Sequence, residues 1–193
     1  MISLKRLMHV APAALFLCVW QPSLSVLAQQ SDTSFLQQAQ TAIEEGRYTD
    51  AETMLQQAIA QRPDSAEAYY YLGLSLHQQF RLREAILAYR NAIRISPKYD
   101  LPYINLGLAW IEGRRLDEAS KVFRQVLTLP DREESPASNH TLAHYNLAII
   151  FKREDNPEAA LKEVQAALDI TPDFESAQEL LQELQSPDRS KGD

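Results

Sequence analysis

Residues Ala66–Tyr99, AEAYYYLGLSLHQQFRLREAILAYRNAIRISPKY, decide the fold of this 193-residue chain. The stretch is 34 residues long. Tyr69, Leu72, Gly73 and Leu76 recur at i, i+3, i+4 and i+7, which is one face of a helix. Leu82, Ala85, Ile86, Tyr89, Ala92 and Ile93 repeat the pattern on a second helix. Pro97 then stops the chain, because it has no N–H to donate and pushes the residue before it out of the α region. Two short helices cannot bury both apolar faces alone, so the unit needs neighbours like itself.

Those neighbours are present. One step of 34 residues back lie Phe35, Gln38, Ala39 and Ala42, a turn at Gly46, then Tyr48, Ala51, Leu55, Ala58 and Pro63. One step forward lie Tyr103, Leu106, Gly107 and Trp110, then Leu116, Ala119, Phe123 and Val126, with the proline slipped to Pro130. The next step is 41 residues, to His144, Leu147, Ala148 and Phe151, then Pro157, Ala160, Val164, Ala167 and Pro172. The seven extra residues fall in the polar stretch DREESPASNH, which reads as an exposed loop. Asp32, Asp64 with Glu67, Asn156 with Pro157, and Asp173 are the expected helix starts. A last helix from about Phe174 to Gln185 carries one apolar stripe, Ala177, Leu180, Leu181 and Leu184. Its other face is polar, as the end of a stack requires.

The period of 34 and the Tyr…Leu-Gly…Ala…aromatic…Ala…Pro order resemble the tetratricopeptide repeat (TPR) family across 32–174. The departures are Gln38-Ala39 for Leu-Gly in the first unit, Phe80 where Gly46 marks the first turn, and His144 for an aromatic in the fourth. The resemblance implies an all-α fold, a right-handed α-solenoid of four TPR-like helix pairs plus a C-terminal capping helix. The units are 32–65, 66–99, 100–133 and 141–174. The insertion is 134–140, the capping helix 175–186, and 187–193 a disordered tail. Physically, Gly73 and Gly107, with Ala39 and Ala148, sit where the two helices of a unit cross. Ala51, Ala85, Ala119 and Ala160 take that role on the second helix. A large residue at Gly73 overpacks the crossing.

Lys5, Arg6, the 11-residue apolar run Val10–Trp20 and the Val26-Leu27-Ala28 site read as a secretory signal peptide over 1–28, with cleavage expected after Ala28. The run falls short of the ~20 residues that span a bilayer; an uncleaved anchor is the alternative. Cys18, the one cysteine, lies inside it behind Leu17, where a lipidated cysteine would follow a small residue. The mature chain then has no disulfide and no thiolate, which is compatible with an exported, periplasm-like setting. From Gln29 onward there are 17 basic and 26 acidic residues, a formal −9. That balance argues against a nucleic-acid partner and against anionic lipid.

No catalytic constellation, phosphate loop or cofactor motif stands out, so the chain reads as non-enzymatic, with no small-molecule substrate. His140 and His144 have the spacing of a zinc pair, but the residue after the first is Thr141 instead of a general-base Glu. They read as a solvated and a packing histidine, with no metal. His77 reads as a lone histidine at an exposed or groove-edge position.

A binding surface remains. In the family the first helices of successive units line a concave groove. The residues there that the repeat pattern does not require are Leu36, Gln37, Gln40 and Ile43; Tyr70, Tyr71, Leu74 and His77; Ile104, Asn105, Leu108 and Ile111; and Tyr145, Asn146, Ile149 and Lys152. Tyr70, Leu74, Ile104, Leu108, Ile111, Tyr145 and Ile149 form an expected apolar strip, the kind of patch that marks an interaction site. Asn105 and Asn146 are placed to hydrogen-bond an extended peptide. The expected partner is another protein, offering a hydrophobic peptide or helix. Self-association is a variant, and burial of the protein's own tail an alternative. A further alternative is a structural spacer or accessory subunit of an envelope or secretion assembly. It would contact its partners through the convex face or the loop 130–140.

Overall fold

A computed structural model describes residues 35–131 and 137–186. The expectations for the signal segment with Cys18, for Asp32 and for the tail 187–193 lie outside the described residues. Within them the chain is helical throughout: α1 (35–44), α2 (Tyr48–Gln61), α3 (Ala66–Gln78), α4 (Leu82–Ile95), α5 (Leu101–Glu112), α6 (Leu116–Val126), α7 (Asn139–Arg153), α8 (Pro157–Ile170) and α9 (Glu175–Gln185). No helix among the described residues is long and apolar enough to cross a membrane.

Each helix packs on the next, and α5 also packs on both α3 and α7. No second helix of a unit makes a comparable approach to the next second helix. The first helices therefore form an inner layer and the second helices splay apart outside it. The core follows the same logic. Ala39, Ala51 and Leu55 of the first unit bury together with Ala68 of the second. Ala85 and Tyr89 bury with Leu106 and Ala109 of the third. Ala119 and Phe123 bury with Ala143, Leu147 and Ile150 of the fourth. Ala148, Val164 and Ala167 bury with Ala177 and Leu180 of α9. Every unit thus borrows the first helix of its successor, and α9 serves the last. The outward positions of α9, Gln178, Glu179, Gln182 and Glu183, are exposed.

The crossings match the expectation. A Cβ at Gly73 would lie 2.5 Å from Tyr89 Cδ1, and one at Gly107 would lie 2.7 Å from Phe123 Cε1. Ala39, Ala148, Ala51, Ala85, Ala119 and Ala160 are all fully buried.

The turn inside each unit has one geometry. Gly46, Phe80, Arg114 and Asp155 adopt φ of 74°, 59°, 57° and 56°. The next N–H reaches back five residues in each: Arg47 to Ala42 O at 2.7 Å, Arg81 to Leu76 O at 2.9 Å, Arg115 to Trp110 O at 2.8 Å, and Asn156 to Phe151 O at 2.9 Å. This is Schellman closure, which wants a left-handed residue just past the helix. Only the first unit supplies glycine there. Gly113 sits one residue early, at φ −73°.

Three local expectations change. Ser65, not Asp64, caps α3, its hydroxyl accepting from Ala68 N at 3.2 Å. Asp173 does not cap α9; Phe174 takes the cap position without a side-chain bond. The far end of the insertion, read as exposed, is buried at Ala137, Ser138 and Asn139. Asn139 Nδ2 donates to the buried Asp100 carboxylate at 2.7 Å, tying the start of α7 to the start of α5. Asp131 braces the same corner, accepting from Ser138 Oγ at 2.8 Å and His140 N at 3.0 Å. The Asn156–Pro157 start of α8 is as expected, with Asn156 Oδ1 accepting from Ala159 N at 3.1 Å.

Candidate interaction groove

The inner layer places its side chains in columns, because equivalent positions of α1, α3, α5 and α7 stack one above another. The column Gln40, Leu74, Leu108 and Ile149 is half-buried throughout and lines the open side. Tyr71 and Tyr145 are half-buried beside it, as is Leu36 at the N-terminal end. These are the expected groove residues that keep apolar surface available.

Four others do not. Tyr70 is 8% exposed, Ile104 7%, Ile111 7% and Asn146 7%. The expected strip is therefore interrupted. Ile104 and Ile111 bury with Ala143, Leu147 and Ile150 of α7, where the first helices of units 3 and 4 meet. Tyr70 is covered within its own unit: its ring centroid is 5.2 Å from Tyr71, 5.3 Å edge-on from Tyr99 and 6.3 Å from Tyr89. Such aromatic contacts add ~0.5–1.5 kcal/mol each beyond area burial.

The two asparagines behave alike. Asn105 Nδ2 donates to Leu101 O at 3.1 Å and Asn146 Nδ2 to Leu142 O at 2.8 Å, each one turn back on its own helix. One amide hydrogen is thus committed internally at both positions. Only Asn105 keeps appreciable exposure.

Polar groups on the groove side are paired across units. Gln40 Nε2 donates to Glu67 at 3.4 Å. Burial pushes the Tyr71 hydroxyl above its ordinary value, opposed by its hydrogen bond with Gln40. His77 is neither lone nor exposed: Nε2 lies 3.1 Å from Glu112 of the next unit and Nδ1 3.4 Å from the Tyr89 hydroxyl. At the far end Lys152 Nζ meets Glu183 of α9 at 2.5 Å.

The capping helix adds a wall that the sequence reading did not assign to the groove. Tyr145 stacks edge-on against Phe174 at 5.3 Å. A cleft of about 300 Å³ lies between Tyr145, Ile149, Lys152 and Arg153 on α7 and Ser176, Glu179, Leu180 and Glu183 on α9. The exposed face of α9 reads as solvent-facing from its polar residues alone; only its angle to α7 makes it a wall.

The histidine pair is dispersed. His140 Nε2 lies 2.9 Å from Leu129 O, and His144 Nδ1 lies 2.7 Å from Glu163 of α8. No group of three His, Cys, Asp or Glu able to hold a metal ion occurs among the described residues.

Residues 36–100 match the family model described as Tetratricopeptide repeat. No relative among curated proteins matches the chain. Solved structures do. PilF of Pseudomonas aeruginosa matches with a TM-score of 0.70 at 18% identity, over 81% of this chain and 68% of that one. A MamA structure matches at 0.69 and 15% identity, over 81% of both chains. YrrB, a TPR protein with an unusual peptide-binding site, matches at 0.64 and 23% identity, over 78% and 74%. At such identities the likeness speaks for the fold. Residues 36–100 thus carry tetratricopeptide repeats, and the described chain as a whole is an all-α solenoid of the same kind.

Proposed function

We propose that this protein is an exported, non-enzymatic interaction module that holds a hydrophobic peptide or helix of another protein in the groove of its first helices. The observation that carries the reading is the half-buried column Leu74, Leu108 and Ile149 on the open side of the inner layer, flanked by Tyr71 and Tyr145. Gln40 takes the same position in the first unit, so the repeat does not fix an apolar residue there, although Leu74, Leu108 and Ile149 also pack with one side against the cores of their units. A partner helix with apolar residues at i, i+3 and i+7 would meet such a column. The peptide-binding site described for YrrB lends the idea support from a protein of the same fold. Export rests on the character of residues 1–28, and mass spectrometry of the mature chain tests it: an N-terminus at Gln29 is the expected result, and an intact Met1 would overturn it.

Groove binding is tested with Leu74→Ser, Leu108→Ser and Ile149→Ser combined, in pull-downs from an envelope extract quantified against the parent chain. Tyr70 is left intact because its burial would confound stability with binding. Loss of specific partners at unchanged helicity is expected. Partners retained at parental levels would overturn the groove reading. A second reading, a structural spacer that contacts partners through its outer face or the loop 130–140, draws on Phe80 and Leu87, which are 85% and 59% exposed on the second-helix side and its turn.

A further inference from the structure

The splay of the second helices leaves a cleft of about 430 Å³ between α4 and α6, floored by α5. Its floor is apolar: Ile93, Tyr103, Leu106, Trp110 and Val122. Its rim is cationic, with Arg90 and Arg94 from α4 and Lys121 from α6. Arg90 and Arg94 are exposed and make no ion pair or side-chain hydrogen bond with any described residue. Lys121 lies in the field of Glu118, the one acid of the lining, but Glu118 is bonded to Arg115. This basic rim belongs to a chain with a formal −9 from Gln29 onward.

The neighbouring inter-unit seams are closed differently. Between the first and second units, Arg81 bridges from the start of α4 to Glu52 of α2 at 2.6 Å, and Gln79 joins at 3.3 Å. The position of Glu52 is Ile86 in the second unit, so that clasp cannot recur over the α4–α6 cleft. Between the third and fourth units, Arg124 lies over the Phe151 ring at 5.9 Å. At the α4–α6 seam Arg115 lies over the Trp110 ring at 5.6 Å, while Arg90 and Arg94 stay unengaged at the rim and Ile93 and Val122 line the cleft beside the ring.

We propose that the α4–α6 cleft is a second docking site, for an acidic segment of a partner protein that inserts one apolar side chain against Trp110, Ile93 and Val122. Unpaired guanidinium groups at the rim favour carboxylates, because charge-assisted bidentate bonds are the strong ones. The volume suits one large side chain with its flanking backbone. The site is on the face opposite the groove and does not depend on the groove reading.

Trp20 and Trp110 are the two tryptophans, so the full chain carrying Trp20→Phe reports on the cleft through Trp110 emission. The probes are a set of short peptides, each with one Phe or Leu between flanks that are all acidic, all neutral or all basic. Acidic peptides are expected to shift Trp110 emission saturably, to weaken as salt screens the rim, and to lose at least about tenfold in affinity with Arg94→Glu plus Lys121→Glu. The groove substitutions Leu74→Ser, Leu108→Ser and Ile149→Ser are expected to leave this binding unchanged. No acidic peptide binding at millimolar concentration, equal binding of neutral peptides, or indifference to the charge reversal would overturn the proposal. Loss of binding through the groove substitutions, with the reversal silent, would place the site in the groove and overturn it as well.

Discussion

The helix crossings of units 2 and 3 and those of units 1 and 4 solve one packing problem in two ways. In units 2 and 3 a glycine faces an aromatic ring, Gly73 against Tyr89 and Gly107 against Phe123. In units 1 and 4 an alanine stands in the glycine's place, and the second-helix partner is Leu55 or Val164. All four second-helix residues are fully buried. What the repeat trades is size: a glycine stands opposite a ring, an alanine opposite a smaller aliphatic side chain. The small residue and its partner vary together, because a close-packed interior has no room for a methyl beyond its density.

The comparison breaks first at Phe123. With only Gly107 opposite, Phe123→Ala opens a void that no nearby side chain fills, and a loss of ~3–5 kcal/mol is expected in denaturant unfolding. Val164→Ala should cost clearly less, since Ala148 already occupies part of the space. Equal costs would mean the two crossings are not alternatives of one kind.

Next comes Gly73→Ala. Helix propensity alone favours alanine by ~1 kcal/mol, yet overpacking against the Tyr89 ring should dominate at ~1–3 kcal/mol, with Gly73→Leu worse. Adding Tyr89→Leu recreates the pairing of unit 1 and should recover much of the loss. A coupling of ~0.5–3 kcal/mol between the two changes is the expected sign of contact; strict additivity would sink the volume argument.

Alkali tests the buried tyrosines of unit 2. Burial raises the Tyr89 and Tyr99 hydroxyls well above ~10, the usual phenol value. The folded state keeps protons that the unfolded chain gives up, so the stability involved is complete below pH ~10 and is lost as pH rises beyond it. Phenolate absorbance from these two rings should appear only together with loss of helicity. Tyr89→Phe should blunt that transition.

The smallest effect expected is at the turns. Phe80 holds φ 59° where unit 1 has Gly46 at 74°. Phe80→Gly relieves ~1–2 kcal/mol of left-handed strain but loosens the unfolded chain by ~0.4–1 kcal/mol. A slightly higher melting temperature should result. A drop would show that the exposed Phe80 ring makes contacts that matter to the fold.

The turn residues also show what a sequence can and cannot disclose. Gly46 announces a left-handed turn because glycine alone reaches it without strain. Phe80, Arg114 and Asp155 adopt the same geometry under the pull of the closing hydrogen bonds, and only the 34-residue register reveals them. The groove was legible in its columns but not in its depth. Leu74, Leu108 and Ile149 stay partly open, whereas Tyr70, Ile104, Ile111 and Asn146 are buried, Tyr70 among the tyrosines of its own unit and the two isoleucines against α7. The wall made by α9 and the cleft beneath Arg90 and Arg94 carry no local signal at all.

The amino-acid sequence by itself determined the helix pairs, their period and the crossings, because those depend on residues within one turn or one unit of each other. The small-against-large pairing at Gly73 and Tyr89 is written into every unit in one form or another. Tertiary structure alone decided which non-repeat residues remain available to a partner. That choice depends on how far apart successive helices stand: close on the inner layer, where apolar side chains are half covered, and splayed on the outer one, where an apolar floor is left open between unpaired cations.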